Sequence, residues 1–162
     1  MGTDIYLSWT GMKEEDKRKQ YTGFAINAGR YGYLRASIGM VEENETLRRI
    51  FPKEYWESDK PLEYDFEANY DKMLAELVAY LTRKLRPMSK EERLKKMADQ
   101  NPAAIAVLDM FTELSKATGV QVVMPTTDLA DAIVWAASVV EFFDLGVRLQ
   151  REGRKPRVYI SW

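Results

Sequence analysis

The chain has 162 residues, a net charge of −1, and 46% apolar and 30% charged residues, which fits one folded domain and excludes a disordered chain. It contains neither Cys nor His. That excludes disulfides, thiol nucleophiles, Cys or His zinc sites, a Ser-His-Asp triad and the usual general base near neutral pH. Any catalysis must rest on carboxylates, Tyr, Lys, Arg, Ser or a carboxylate-bound hard cation.

In chain order, Ile5–Trp9 (IYLSW) alternates apolar and polar residues, as a half-buried strand does, and Val158–Trp162 (VYISW) nearly repeats it. Two such strands at opposite ends predict neighbours in one sheet. Thr10–Gln20 reads as a short charged helix and Tyr21–Asn27 as a weak second strand. Ala28–Gly32 is a turn, and Tyr33–Met40 fits strand or helix start. Glu42–Phe51 reads as a helix stopped before Pro52. Phe51–Phe66 is irregular, with five aromatics among acids. Glu67–Leu85 is predicted helical, with Tyr70, Met73, Leu74, Leu77, Leu81 and Leu85 on one face and Pro87 closing it.

Ser89 and Glu92 form a capping box for a helix to about Ala98, and Asn101-Pro102 begins another that Gly119 ends. Val120–Met124 reads as a short buried strand and Pro125–Thr127 as a turn. Asp128–Arg151 is the longest helix, apolar almost all round and so expected at the centre of the core. Strand, helix and final strand would make a right-handed crossover unit. The expected fold is α+β: one globular domain over residues 1–162, with a small mixed sheet including both terminal strands, about five helices packed on it and a central apolar helix near 128–151.

Charge is unevenly placed. Residues 42–76 hold eleven acids and five bases, and 77–100 hold seven bases and three acids. The acidic run repels phosphates. The basic run, Arg83 to Lys96, lacks the interleaved aromatics of a nucleic-acid surface and reads as a solvated helix side, so no nucleic-acid partner is expected. No signal peptide is apparent, and the most apolar stretch, Ala132–Val147, is interrupted by Glu141 and Asp144 and too short to span a bilayer. A cytoplasmic protein without a membrane partner is expected.

Asn27–Ser37 (NAGRYGYLRAS) is the first candidate site. Its glycines let backbone approach a ligand, Arg30 and Arg35 suit a phosphate or carboxylate, and Tyr31 and Tyr33 can stack or donate. The plainer alternative is a glycine turn with strand tyrosines and surface arginines. The opening MGTDIYLSW and the later GYLRAS resemble a loose class of phage and prokaryotic proteins. These begin M-G-x-D-(I/M)-Y-(L/V) and later carry a G-Y-aromatic/Leu-Arg segment. The matching residues are Met1, Gly2, Asp4, Ile5, Tyr6, Leu7, Gly32, Tyr33 and Arg35. This resemblance implies a phage or mobile-element origin, carries no established activity, and marks Asp4, Tyr6, Tyr33 and Arg35 as a shared site. The class often continues with a His-containing helix; without His, this chain has no role that needs one.

Carboxylates recur at helical i, i+3 spacing: Glu42/Glu45, Asp128/Asp131 and Glu141/Asp144. Nucleotide pyrophosphohydrolases use E-x-x-E followed by E-x-x-D, but the gap from Glu45 to Glu141 is too long and the strands contradict their all-helical fold. Structural pairing is therefore the preferred reading, with no metal and no cofactor. In the aromatic–acidic stretch, Tyr55, Trp56 and Tyr64 form the candidate interaction surface, against the alternative of a long connection pinned to the core.

Taken together, these features lean away from an enzyme. The leading expectation is a non-enzymatic protein-interaction or binding module. One alternative is a small-anion or nucleotide site, or a hydrolase, using Asp4, Tyr6, Arg30, Tyr33 and Arg35. Another is a structural homo-oligomer joined through the terminal strand Val158–Trp162 as an exposed edge.

Overall fold

A computed structural model describes residues 2–22, 28–85, 89–100, 102–119 and 129–162. The chain is α+β, with elements β1 (Thr3–Ser8), α1 (Glu14–Thr22), a 3-10 turn (Gly29–Tyr31), β2 (Tyr33–Ala36), α2 (Val41–Ile50), α3 (Lys53–Trp56), β3 (Leu62–Glu63), α4 (Phe66–Leu85), α5 (Lys90–Gln100), α6 (Ala103–Thr118), α7 (Leu129–Arg151) and β4 (Arg157–Ser161). Backbone proximity groups them into two compact units: residues 1–84 with 129–162, and residues 85–128.

In the first unit the sheet order is β2-β1-β4-β3, and every pairing is antiparallel. The terminal strands are neighbours, as their sequences predict. The sheet is antiparallel rather than mixed among the described residues; the expected strand at Val120–Met124, on which the crossover unit depended, lies outside them. Tyr33–Ala36 is a strand. The predicted strand at Tyr21–Asn27 begins as the end of α1, and its remainder, 23–27, is also outside the described residues.

Alternation divides the sheet into two faces. Ile5, Leu7, Leu34, Val158 and Ile160 are buried on the core side, where they meet Trp135, Val139, Phe142 and Phe143 of α7 and Phe66, Met73, Leu77 and Tyr80 of α4 within one apolar cluster. Leu74 and Leu85, expected on the buried face of α4, are exposed. The buried row runs through Phe66, Met73, Leu77 and Tyr80 instead, and at 100° per residue Leu74 and Leu85 fall beside it. α7 is likewise one-faced: Ile133 and Val134 are exposed although the helix is apolar on most sides.

β4 is not a free edge, which corrects the proposed route to self-association. β1 pairs along one side, while β3 and α3 flank the other. Trp162 Nε1 donates to the Trp56 carbonyl (2.8 Å), and the Arg48 guanidinium lies over both indoles at 4.4 and 5.3 Å. At the other margin, Tyr33 N–H donates to the Ala28 carbonyl (3.3 Å) and the Arg35 carbonyl accepts Trp135 Nε1 (3.1 Å), so β2 has little edge to offer either.

Two glycines set the packing distance of α7. A Cβ at Gly29 would lie 1.8 Å from the Ser138 carbonyl oxygen, and one at Gly146 would lie 2.4 Å from the Phe66 ring. Because Phe66 is wedged among Phe142, Phe143 and Tyr64, it cannot move aside. Gly146→Ala is expected to lower stability by about 1–3 kcal/mol through overpacking, whereas Gly39→Ala, with open space around it, should change it by less than about 1 kcal/mol. Urea unfolding of both variants checks this contrast.

Candidate functional site

The first cluster is assembled by strand register. β1 directs Asp4 and Tyr6 away from the core, β2 sets Arg35 opposite Asp4 and Tyr33 opposite Tyr6, and β4 adds Tyr159 beside Tyr6 and Ser161 beside Asp4. The Tyr33 hydroxyl donates to Asp4 Oδ1 at 2.6 Å, Arg35 Nε lies 3.9 Å from the same oxygen, and the Tyr6 and Tyr33 rings are 5.3 Å apart. Burial, then the hydrogen bond to Asp4, hold the Tyr33 phenol well above its ordinary pKa. Burial and the nearby Asp4 charge push Tyr6 up too, and Arg35 is raised by its bond to the Tyr33 hydroxyl and by Asp4.

Four of the five residues read as an anion site therefore meet. Arg30 does not join them: it is exposed, with its guanidinium 4.9 Å from the Tyr31 ring centre, in a recess of about 300 Å³ lined by Val134, Ala137, Ser138 and Glu141. Within the cluster, Asp4 already balances Arg35, so an incoming anion would meet a carboxylate beside the guanidinium. The arrangement is a part-exposed ion pair braced by the Tyr33 hydroxyl, which is hydrogen-bonded to Asp4.

The aromatic–acidic stretch resolves differently. Trp56 and Tyr64 are each 5% exposed, so they are core residues and not a contact surface. Trp56 Nε1 donates to the Phe51 carbonyl (2.9 Å), and the Tyr64 ring packs on Phe51, Phe66 and Phe143. Burying these large rings gains more than a surface role would allow. Tyr55 stays half-buried, and its hydroxyl donates to the Glu63 carbonyl.

Tyr55 and the rim of Tyr64 form one wall of an open cleft of about 600 Å³, with Glu54, Glu63, Asp65 and Lys155 among its polar lining. Asp65 caps α4: it accepts from Ala68 N–H (3.0 Å) and from Gln150 Nε2 (2.8 Å), and these bonds hold its carboxyl below the usual range. Glu54 and Glu63 are exposed and have no ion pair among the described residues.

A third cluster lay hidden from the sequence. Lys84 Nζ sits 2.9 Å from Glu42 and 3.5 Å from Glu43, and the Tyr80 hydroxyl donates to Glu43 at 2.6 Å, all nearly buried between α2 and α4. Burial and then the Glu43 bond push the Tyr80 phenol well up. The legible signal was acids in the first turn of α2 and bases in the last turn of α4, where helix dipoles favour them; that the two ends meet is tertiary. The pattern read as Glu42/Glu45 is therefore split, since Glu42 faces Lys84 and Glu45 lies 3.9 Å from Arg49. Glu141 and Asp144 are exposed, and Asp144 accepts the Tyr70 hydroxyl at 2.6 Å.

Comparison with protein-family models, curated proteins and solved structures gives no match to this chain.

Six tyrosines (Tyr6, Tyr33, Tyr55, Tyr64, Tyr70 and Tyr80) have raised pKa values, with Tyr70 pushed up to about 12 by Asp144. Their neutral forms are favoured by folding, so this contribution is complete below the unfolded value near pH 10. It is lost as pH rises from there through the folded values. Stability should be level from pH 7 to 9 as far as these groups determine it, then fall above about pH 10. Chemical unfolding followed across that range, with phenolate absorbance read in parallel, tests this.

Proposed function

We propose that this chain is a non-enzymatic protein-interaction module acting in the cytoplasm, and that its cleft receives a basic segment of a partner protein. The observation that supports this most is the cleft itself. It sets two exposed carboxylates that make no ion pair among the described residues, Glu54 and Glu63, beside a half-buried tyrosine on a wall fixed by the core. Three acids against one lysine favour cations, and the Tyr55 ring offers apolar area at small entropic loss. The absence of Cys and His fits a role without nucleophilic or imidazole chemistry.

The anion or nucleotide reading is weaker, because Arg35 is met by Asp4 and Tyr33 and Arg30 is placed elsewhere. A phage or mobile-element origin remains part of the proposal through the opening-strand resemblance alone.

Selection from a displayed random-peptide library should enrich sequences bearing Lys or Arg. Their binding should weaken with salt and fall at least about tenfold on charge reversal by Glu54→Lys with Glu63→Lys, as for loss of close opposite charges. Enrichment without basic residues, or binding indifferent to the reversal, contradicts the proposal.

A further inference from the structure

We infer that Arg48, held against the indoles of Trp56 and Trp162, is a docking point for a carboxylate side chain of a partner protein, carried next to an apolar residue. All three residues belong to the first unit, and none of them lines the cleft beside Tyr55.

The guanidinium is held in place before any ligand arrives. Arg48 stands in the last turn of α2, which is anchored on the core by Leu47 and Ile50. Its central carbon lies 4.4 Å from the Trp56 ring centre and 5.3 Å from that of Trp162. Both rings are themselves fixed: Trp56 is buried and donates to the Phe51 carbonyl (2.9 Å), and Trp162 Nε1 donates to the Trp56 carbonyl (2.8 Å). A cation in the last turn of a helix is favoured by the dipole alone, but the dipole does not call for two indoles around it. Cation–π contact stabilises the charge without using any of the N–H donors.

Those donors are what the site offers. Arg48 is exposed and makes no ion pair and no side-chain hydrogen bond among the described residues. The charges next to it in sequence are already balanced. Arg49 lies 3.3 Å from Glu76 and 3.9 Å from Glu45, and Lys53 lies 3.1 Å from Glu57. One fixed guanidinium matches a singly charged carboxylate, whose two oxygens can accept a pair of its N–H groups. A phosphate dianion would call for a second open cation, and Arg49 and Lys53 are both engaged. Trp162 is 56% exposed, so its ring adds apolar area beside the charge and selects an apolar neighbour of the acid.

NMR titration of the isotopically labelled full chain tests this with three probes at matched ionic strength: acetyl-Glu-Leu-amide, its neutral match acetyl-Gln-Leu-amide, and inorganic phosphate. The glutamyl peptide should shift the Trp162 indole N–H and the Arg48 Nε–H signals saturably. The glutaminyl peptide should bind at least about tenfold more weakly, as loss of charge-assisted hydrogen bonds implies, and phosphate more weakly than the glutamyl peptide. Arg48→Lys keeps the charge but not the fork and should lose at least about tenfold in affinity, whereas Arg49→Lys should change it less than about twofold. The inference is overturned if the Arg48→Lys chain binds as the parent does, if the neutral peptide binds equally well, or if phosphate binds more tightly. Absence of any saturable shift overturns it too.

Discussion

The antiparallel pairing of β1 with β4 is the constraint from which the rest of the first unit follows. It joins segments from opposite ends of the chain (Asp4 beside Ser161, Ser8 beside Arg157), and closing so long a loop is entropically only slightly worse than closing one half its length. What repays it is burial. Ile5, Leu7, Val158 and Ile160 form one continuous apolar surface that α7 and α4 cover, at about 1.5–3 kcal/mol for each fully buried side chain. Once that face is committed, Asp4, Tyr6 and Tyr159 have no choice but the other. A local repair shows how firmly the register is held. Gly32 N–H is used by the 3-10 turn, so Gln20 supplies the donor that the Leu7 carbonyl would otherwise lack, at 2.7 Å.

Electrostatics separates the clusters by what they leave unmet. On the polar side of the sheet, Asp4, Tyr33 and Arg35 satisfy one another, and a half-exposed pair of this kind adds no more than about 1 kcal/mol. Between α2 and α4, Lys84 lies against two glutamates within a nearly closed space, with the Tyr80 hydroxyl donating to Glu43, and removing the lysine there would strand charge at a cost of about 3–5 kcal/mol. The cleft beside Tyr55 differs, because Glu54 and Glu63 are exposed there and make no ion pair among the described residues. Charge left open at a concave surface with an aromatic wall is the feature on which the proposed partner reading rests.

Much of the fold was legible because it depends on periodicity and stop signals. The strand alternation at both ends, the Ser89 cap that accepts from Glu92 N–H, the Gly119 end of α6 in left-handed conformation and the one-sided burial of α4 all express local rules. The convergence of Asp4, Tyr6, Tyr33 and Arg35 was also expected. Legibility failed where tertiary partners decide. No pattern distinguishes a tryptophan that binds from one that fills the core, so the sequence leaves Trp56 and Tyr64 open between a contact surface and a connection pinned to the core, and burial decides for the core. Likewise nothing in the sequence sets Lys84 apart from the other bases of its run, because its partners Glu42 and Glu43 come from the first turn of α2.

Native-state hydrogen exchange tests the central role of the β1–β4 pairing most directly. The backbone amides of Tyr6 and Ser8, which face β4 because Leu7 N–H is directed to Gly32 on the other side, and those of Arg157 and Tyr159 opposite them should exchange only through global unfolding and should share one denaturant dependence. Exchange of the β4 amides at lower free energy than those of β1 and α7, as a locally opening segment would show, would contradict that role and remove the basis on which the cleft and the polar sheet face are placed.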